Sequence, residues 1–385
     1  LTINAWEKRK LGEIARIFDG THQTPNYQSS GIMFLSVENI QTLKSNKFIS
    51  LEDFQKDFKV SPRTGDILMT RIGNIGTTNV VKSTRPIAYY VSLALIRPND
   101  AIDVYYLNYA INGLSFQREL RRRTLSVAFP QKINKQEIGK SIVDLPSPSE
   151  QIQIGNLFVL LDNLIAATQR RISALEEIKE ALSQYLFVQK WRFRGYSNPW
   201  KRVVLGEIAD IIGGGTPKTD EPKFWNGEID WYAPAEIGSN RYVAGSVRTI
   251  TSVGLNKSSA SILPANRTIL FTSRAGIGNA AILKKDAATN QGFQSLVLKD
   301  GVDIYFIYSR IPEIKQKAIR IAAGSTFLEI SGKKLSQIAL LVPELNEQQK
   351  IGAFLKKLDD LVAANHSKVS RLNLLKKFLL QGLFI

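Results

Sequence analysis

The sequence predicts an α+β protein: two mixed α/β bodies separated by two long antiparallel helices that form a coiled-coil spacer, the whole a pseudo-twofold tandem repeat. Repetition is the first observation behind this. LGEIARIFDG at 11–20 recurs as LGEIADIIGG at 205–214, and GDILMTRIGNIG at 65–76 is echoed by RTILFTSRAGIG at 267–278. Residues 146–187 then match 343–384 without a gap, with 17 of 42 positions identical. Size is the second observation: 385 residues are about two to three times a domain of ~150. The third is a three-and-four spacing of apolar residues that runs far longer than one small core requires.

In chain order, residues 1–145 form the first body. Its short apolar runs, IMFLSV at 32–37 and DILMTRI at 66–72, are separated by Gly, Pro and Asn turns and read as strands of a mixed sheet, with a helix at about 104–123. Residues 146–190 hold the first long helix. Leu157, Leu161, Leu164, Thr168, Ile172, Leu175, Ile178 and Leu182 make its stripe, Pro146 precedes it, and Ser149 is the expected N-cap. At 1.5 Å per residue, about 38 helical residues reach roughly 55 Å, so such a helix needs a partner along its length. Residues 191–342 supply a linker and the second body, with strands in IDWYA (229–233) and TILFTS (268–273) and a helix at about 303–322. Residues 343–385 hold the second long helix, where Phe354, Leu358, Leu361, Asn365, Val369, Leu372, Leu375 and Leu379 keep the same stripe behind Pro343 and the expected cap Asn346. The short link from Phe187 through Gly195 to Trp200 leads directly into the second body, which favours antiparallel helices.

Composition narrows the classes of function. Hydrophobic residues are 44% and charged residues 22%, ordinary globular values. No stretch approaches the ~18 uninterrupted apolar residues of a membrane span, and LTINAWEKRK is polar and basic, so a soluble, cytoplasmic protein without membrane contact is expected. The lack of cysteine excludes disulfides, thiolate metal sites and cysteine nucleophiles, and two histidines, His22 and His366, are too few for a histidine-rich site. Lys and Arg number 51 against 34 Asp and Glu, a net charge of +17, which is the footprint of a nucleic-acid partner; a membrane surface or an acidic protein is the competing partner. Most of the excess sits in two blocks, with 20 basic against 13 acidic residues at 1–145 and 18 against 12 at 200–342.

Several segments invite a chemical reading. GIGNAA at 276–281 imitates part of a dinucleotide fingerprint, but a strand-turn-strand pattern leaves no helix N-terminus for a pyrophosphate, and SGKK at 331–334 lacks the spacing of a phosphate loop. No cofactor is therefore expected on this chain. The Asn-Pro-Pro-Tyr type motif of adenine methyltransferases is absent as well. The turns GTHQTP and GGGTPKT either shape loops only or bring amides and hydroxyls to DNA. On the second reading Thr21, His22, Gln23, Thr24, Thr216, Lys218 and Thr219 reach phosphates or base edges. Arg71 and Arg274 end strands ahead of glycine turns and carry the fork that matches guanine, with a surface ion pair as the alternative. Asn74, Asn279, Asn290 and Gln291 lie in or near the same turns, and Lys132 and Lys333 are candidates for phosphate anchoring. Arg121, Arg122 and Arg123 complement a helix C-terminus ahead of SVAFPQK, which corresponds to STFLEISGKK in the second body; His366 falls on the polar side of its helix.

Two basic bodies alternating with two duplicated helices resemble the specificity subunit of type I restriction-modification systems. The resemblance is carried by LGEI at 11–14 and 205–208, the GTHQTP and GGGTPKT turns, TRIGNIG and TSRAGIG, TNQGF at 289–293, and the helix starts Pro146 with Glu150 and Gln151 and Pro343 with Glu347 and Gln348. It covers essentially the whole chain. It implies that residues 1–145 and 191–342 contain target recognition domains, each reading one half of a bipartite site in double-stranded DNA, and that the helices at 146–190 and 343–385 are the spacer. It implies two modification (methyltransferase) subunits and restriction subunits as partners, carrying S-adenosylmethionine and, on the restriction subunit, ATP and Mg, with this chain non-catalytic. One departure is visible: the first body has AYYVSLALI where the second has TNQGFQSLVL, so Asn290 and Gln291 lack counterparts. The competing readings are a stand-alone DNA methyltransferase or nuclease, and a coiled-coil DNA-binding scaffold or regulator.

Overall fold

The computed structural model describes residues 6–125, 129–324 and 328–384. Parts of the SVAFPQK and STFLEISGKK loops, at 126–128 and 325–327, lie outside the described residues, as do 1–5 of the basic start. The chain divides into two compact units: unit 1 takes two separate stretches, residues 1–171 and 365–385, and unit 2 takes the continuous stretch 172–364 between them. The long helices span Pro148–Phe187 and Leu345–Leu383. Each unit therefore holds one body, the first half of its own long helix and the last half of the other.

In unit 1 a four-stranded antiparallel sheet runs in the order Ala15–Asp19, Leu93–Pro98, Ile67–Thr70, Thr78–Val80, beside a three-stranded sheet of Phe48–Ile49, Ile32–Leu35 and Ile87–Tyr89. Glu7–Lys10 pairs with Ile142–Leu145 and closes the two ends of the body on one another. Unit 2 repeats the plan. Ala209–Gly213, Gln294–Leu298, Thr268–Phe271 and Ala280–Leu283 form a sheet that Tyr242–Val243 extends to five strands, Arg248–Ile250, Trp225–Tyr232 and Ala287–Thr289 form the second sheet, and Lys201–Val204 pairs with Ala339–Val342. The apolar runs are continuous, not alternating, because both faces are covered: Ile67 and Met69 enter one core while Leu68 enters another, and Ile269 and Phe271 are likewise split from Leu270.

The single helices expected at 104–123 and 303–322 are each two helices. Val104–Asn112 is followed by Leu114–Arg123, with Gly113 extended at the joint, and Ile304–Ser309 is followed by Ile311–Ile321, whose second residue, Pro312, has no N–H to continue a helix. Asp103 and Asp303 cap the first member of each pair, accepting from the backbone N of Tyr106 and Phe306, both at 2.7 Å. The long helices begin two residues later than the paired Pro146 and Pro343. Pro148 takes the first helical position and Ser147 Oγ accepts from Glu150 N at 3.4 Å, so Ser149 lies inside the first turn, as Asn346 does in the other helix.

The buried face of the first long helix is Ile154, Phe158, Leu161, Ile165, Thr168 and Ile172. Leu157 (40% exposed), Leu164 (38%) and Ile178 (50%) from the expected stripe are outside it, because the helix turns its face to a body and not only to another helix. Gln151 and Gln348 join helix to body in the same way: each Nε2 donates to the carbonyl of Pro146 or Pro343 (3.0 and 2.9 Å) and each Oε1 accepts from Asp103 N or Asp303 N (3.1 and 3.0 Å). Gly155 and Gly352 permit this approach, since a Cβ there would stand 2.5 and 2.3 Å from the capping carboxylates of Asp103 and Asp303.

Each helix ends in the core of the other repeat's body. Phe384 is packed among Trp6, Tyr106 and Phe158, with ring centroids 6.3, 5.7 and 5.9 Å away, and Leu186 and Phe187 do the same in unit 2, where Phe187 meets Phe306 at 6.1 Å. Within each unit the two helical halves run antiparallel, pinned by Lys376–Asp162 and Lys179–Asp359, each at 2.5 Å. Phe384→Ala is expected to cost unit 1 about 3–5 kcal/mol. Hydrogen exchange should show protection lost across 104–120 and kept across 304–320.

Candidate nucleic-acid interface

In unit 2 the candidate residues converge around the glycine-rich turn that follows Ala209–Gly213. Thr216 Oγ1 bonds the Gln291 side chain, Asn290 Oδ1 accepts from Gly292 N at 2.8 Å, and a Cβ on Gly292 would stand 3.5 Å from Arg274 Nε. Ala275, directly after Arg274, holds a left-handed φ of 52°, which is strained for a residue with a Cβ. The turn continues to Asn279, whose Oδ1 accepts from Lys315 Nζ at 3.5 Å and whose amide lies against Gly238 and Gly276. Lys218, Thr219, Gln291 and Lys333 are exposed.

Two tryptophans hold this turn in place. Trp231 Nε1 donates to Gly215 O at 2.8 Å and Trp225 Nε1 donates to Lys218 O at 3.0 Å, while the Arg248 guanidinium stacks on Trp225 at 3.6 Å. Behind them, Asp230 accepts from Ser246 N and Oγ (3.0 and 3.1 Å) and pairs with Lys285 at 2.7 Å. Burial pushes the Asp230 carboxyl up, but Lys285 and Ser246 outweigh it and hold it below the usual carboxylate range. Burial raises Tyr232 to about 12. Sequence reasoning missed Trp225, Trp231 and Arg248; the two tryptophans in WNGEIDWY at 225–232 are the signal that pointed to them.

Unit 1 builds the same backbone with different side chains. Thr21 N donates to Tyr89 O at 3.1 Å and Val91 N to Thr21 O at 2.9 Å, the bonding that Gly215 N to Thr289 O repeats in unit 2. His22, Gln23 and Thr24 extend from that turn into solvent, and Gln23 N donates to Thr21 Oγ1 at 3.3 Å. Gly73 N donates to Gln131 O at 2.8 Å, which brings the Asn74 turn beside exposed Lys132. Tyr90 occupies the backbone position of Asn290, since Tyr90 N donates to Leu35 O as Asn290 N donates to Tyr232 O.

Arg71 requires a correction. It is 8% exposed, its Nε donates to Ile133 O at 3.1 Å, and its guanidinium is paired with Asp19, which Lys135 also approaches at 3.3 Å. It supports the fold and presents no free fork. Nor is it the counterpart of Arg274. Thr70 and Thr272 make matching bonds to Asn74 O and Gly276 O, which equates Arg71 with Ser273 and Ile72 with Arg274. The same alignment separates Asn74 from Asn279, and the bridges Leu125–Lys132 and Ala323–Glu329 place Glu329 where unit 1 has Lys132. In unit 2 the Arg71–Asp19–Lys135 triad is replaced by Ser273, Gly213 and Gly332, with the Gln294 side chain lying 3.6 Å from a Gly213 Cβ and 2.7 Å from a Gly332 Cβ. Among the described residues no cluster of His, Asp and Glu is placed to hold a metal ion, and no helix is long and apolar enough to cross a membrane.

The family model for the type I restriction modification DNA specificity domain matches residues 4–177 and again 197–374. The chain belongs to this family. It carries two such domains in tandem, one in each repeat. A putative type I restriction enzyme MjaX specificity subunit of Methanocaldococcus jannaschii is 25% identical over 97% of this chain and 91% of its own length. Two others match over less of their length: the MjaIX specificity subunit of the same organism, 35% identical over 42% of this chain and 38% of its own, and the EcoR124I/EcoR124II specificity subunit of Escherichia coli, 32% identical over 57% and 54%. Among solved structures, the crystal structure of the type I restriction-modification S subunit from M. genitalium shares the fold, with a TM-score of 0.65 at 17% identity over 100% of this chain and 98% of that one.

The two arginines are expected to behave oppositely. Arg71→Ala leaves Asp19 and the Ile133 carbonyl short of a partner and should cost about 1–3 kcal/mol of stability. Arg274→Ala should stay within about 0.5 kcal/mol of the parent. Denaturant unfolding of the two variants measures both.

Proposed function

We propose that the chain is the non-catalytic, sequence-reading subunit of a cytoplasmic type I restriction-modification complex. The bodies at 1–145 and 191–342 act as two recognition domains, one for each half of a bipartite site in double-stranded DNA. The observation that carries this reading is the contrast between framework and turns: capping, helix docking and the order of four sheet strands repeat, whereas Thr21 to Thr24 with Asn74 and Lys132 in the first body and Thr216 to Thr219 with Arg274, Asn279, Asn290, Gln291 and Lys333 in the second are two unlike sets on a similar backbone. A duplicated frame with different polar turns suits a protein that reads two different sequences through side chains and amides. The net charge of +17 supplies the sequence-independent attraction to phosphates.

Chemistry belongs to partners on this reading. Two modification subunits bring S-adenosylmethionine, and restriction subunits bring ATP and Mg. The long helices, which pass from one unit into the other at 171/172 and 364/365, are assigned the fixed spacing between half-sites.

Methylation sequencing of DNA from cells that carry the chain with a partner methyltransferase tests the reading. Modification of one bipartite sequence is expected, and none without the partner; activity of the chain alone would favour a stand-alone enzyme. Exchanging the first body for that of another family member should change one half-site only. Specific binding should fall steeply with salt, and Arg274→Ala should cost about 1–3 kcal/mol at the second half-site. A competition titration at two ionic strengths reads both effects.

A further inference from the structure

In unit 2 a cation rests on the rings that tether the glycine-rich turn. Trp225 and Trp231 meet edge to face, with centroids 5.1 Å apart and planes at 88°, and both are buried. Arg248, paired with Trp231 across the strands, lays its guanidinium over Trp225 at 3.6 Å. The edge of the same indole holds Lys218 O at 3.0 Å, so one ring sets Arg248 beside the turn at 216–219. A guanidinium stacked by its face keeps its N–H edge free to donate.

Unit 1 carries the same arrangement, and the strand register fixes which residues correspond. Phe34 and Trp231 pair with Ala88 and Ala288, and Ser50 and Thr251 cap the helices that follow, which equates Phe34 with Trp231 and Lys47 with Arg248. Tyr27 meets Phe34 at 5.6 Å and 69°, and Lys47 Nζ lies 5.5 Å from the Tyr27 ring. The difference is a carboxylate. Lys47 is paired with Glu38 at 2.8 Å. Ser36 N donates to the Asn39 side chain and Ala233 N to that of Glu236 (2.9 and 2.8 Å), which equates Glu38 with Ala235. The acids beside Arg248 are engaged elsewhere, Glu236 with Ala233 N and Val247 N and Asp230 with Ser246 and Lys285. Arg248 is exposed, and among the described residues its guanidinium has no ion pair and no hydrogen-bond acceptor. Residues 1–5, 126–128, 325–327 and 385 carry no acidic side chain that could supply one.

We propose that Arg248 is a phosphate anchor of the second recognition domain, donating its fork to the DNA backbone beside the turn at 216–219. The assignment rests on the reading of that turn as a DNA-contacting element. A phosphate accepts two parallel N–H bonds from a guanidinium, a contact that positions the domain and carries no sequence information. The indole behind Arg248 holds the planar fork in place before DNA arrives, so less freedom is lost on binding. At the matching position of the first domain Glu38 neutralises the cation, and the same frame offers a free charge in one domain and not in the other.

The chain assembled with its partner methyltransferase is titrated, over a range of salt, against a fluorescein-labelled duplex carrying the site that methylation sequencing reports. Arg248→Met keeps an apolar cover on Trp225 and removes the charge. It should lower the slope of log affinity against log salt by about 0.9, so that the parent's advantage shrinks about 3.5-fold between roughly 50 and 200 mM. The loss should be equal on duplexes substituted at single base pairs of the second half-site. Ala235→Glu supplies the acid of unit 1 and leaves ring and arginine in place. It should weaken binding about threefold in the parent and much less in the Arg248→Met protein, because both changes cancel the same charge. A denaturant midpoint equal to the parent's shows that each loss is one of contact and not of folding. An unchanged salt slope, a loss confined to one base pair, or additive effects of the two substitutions would overturn the anchor and leave the two-domain reading in place; no binding by the parent itself would remove both.

Discussion

Two amphipathic helices of 40 and 39 residues are too long for any one body in this chain to cover, and the architecture follows from that excess. A helix left bare over half its length would expose a stripe of leucines and isoleucines to water, at roughly 25 cal/mol for each Å². Each helix instead spends its first half on its own body and its last half on the other. The bodies depend on this in return. Without Phe384 the aromatic cluster of Trp6, Tyr106 and Phe158 is open on one side, and without Leu186 and Phe187 the cluster of Trp200 and Phe306 is open in the same way.

The duplicated halves divide cleanly into parts that tolerate change and parts that do not. Where body meets helix, Gln151 and Gln348, Asp103 and Asp303, and Gly155 and Gly352 repeat residue for residue, because a glycine against a capping carboxylate leaves no space for any other side chain. Where the turns emerge, a buried arginine with its carboxylate in one half is replaced by serine and glycine in the other, and two indole tethers have been installed behind a single turn. A charged pair and a small-residue pocket are different solutions to the same packing problem. Both leave the backbone path unchanged, so the side chains on the turns vary without moving the frame.

Much of this was legible in the sequence. The repeat located both bodies and both helices, and the apolar runs at 32–37, 66–72 and 268–273 mark strands that the structure contains. Other features were not. Both arginines were read as strand ends ahead of a glycine turn, yet TRIGNIG set on TSRAGIG already places Arg71 opposite Ser273, the hydrogen bonds keep that register, and in a strand one residue is the difference between inward and outward. The helix stripe was read as a helix-to-helix seam, whereas the sheet bodies take much of the apolar face and leave Leu157 and Leu164 outside. The joints at Gly113 and Pro312 carried a local signal that the length of the flanking apolar pattern obscured. The tryptophans of WNGEIDWY stood in view, but their tethers to Gly215 and Lys218 are contacts between segments that no local pattern encodes.

The position of Phe384 also sets the order of events at the ribosome. Its ring belongs to the same core as Tyr106, 278 residues earlier in the chain. At about 5–20 residues per second, translation needs roughly 15–55 s to cover that distance. During that interval the first body is synthesised but its aromatic cluster stays exposed, while the second body has received Leu186 and Phe187 before its own strands are made. The half that is made first is the half completed last, and in that interval it depends on chaperones or on its own partial stability to avoid aggregation.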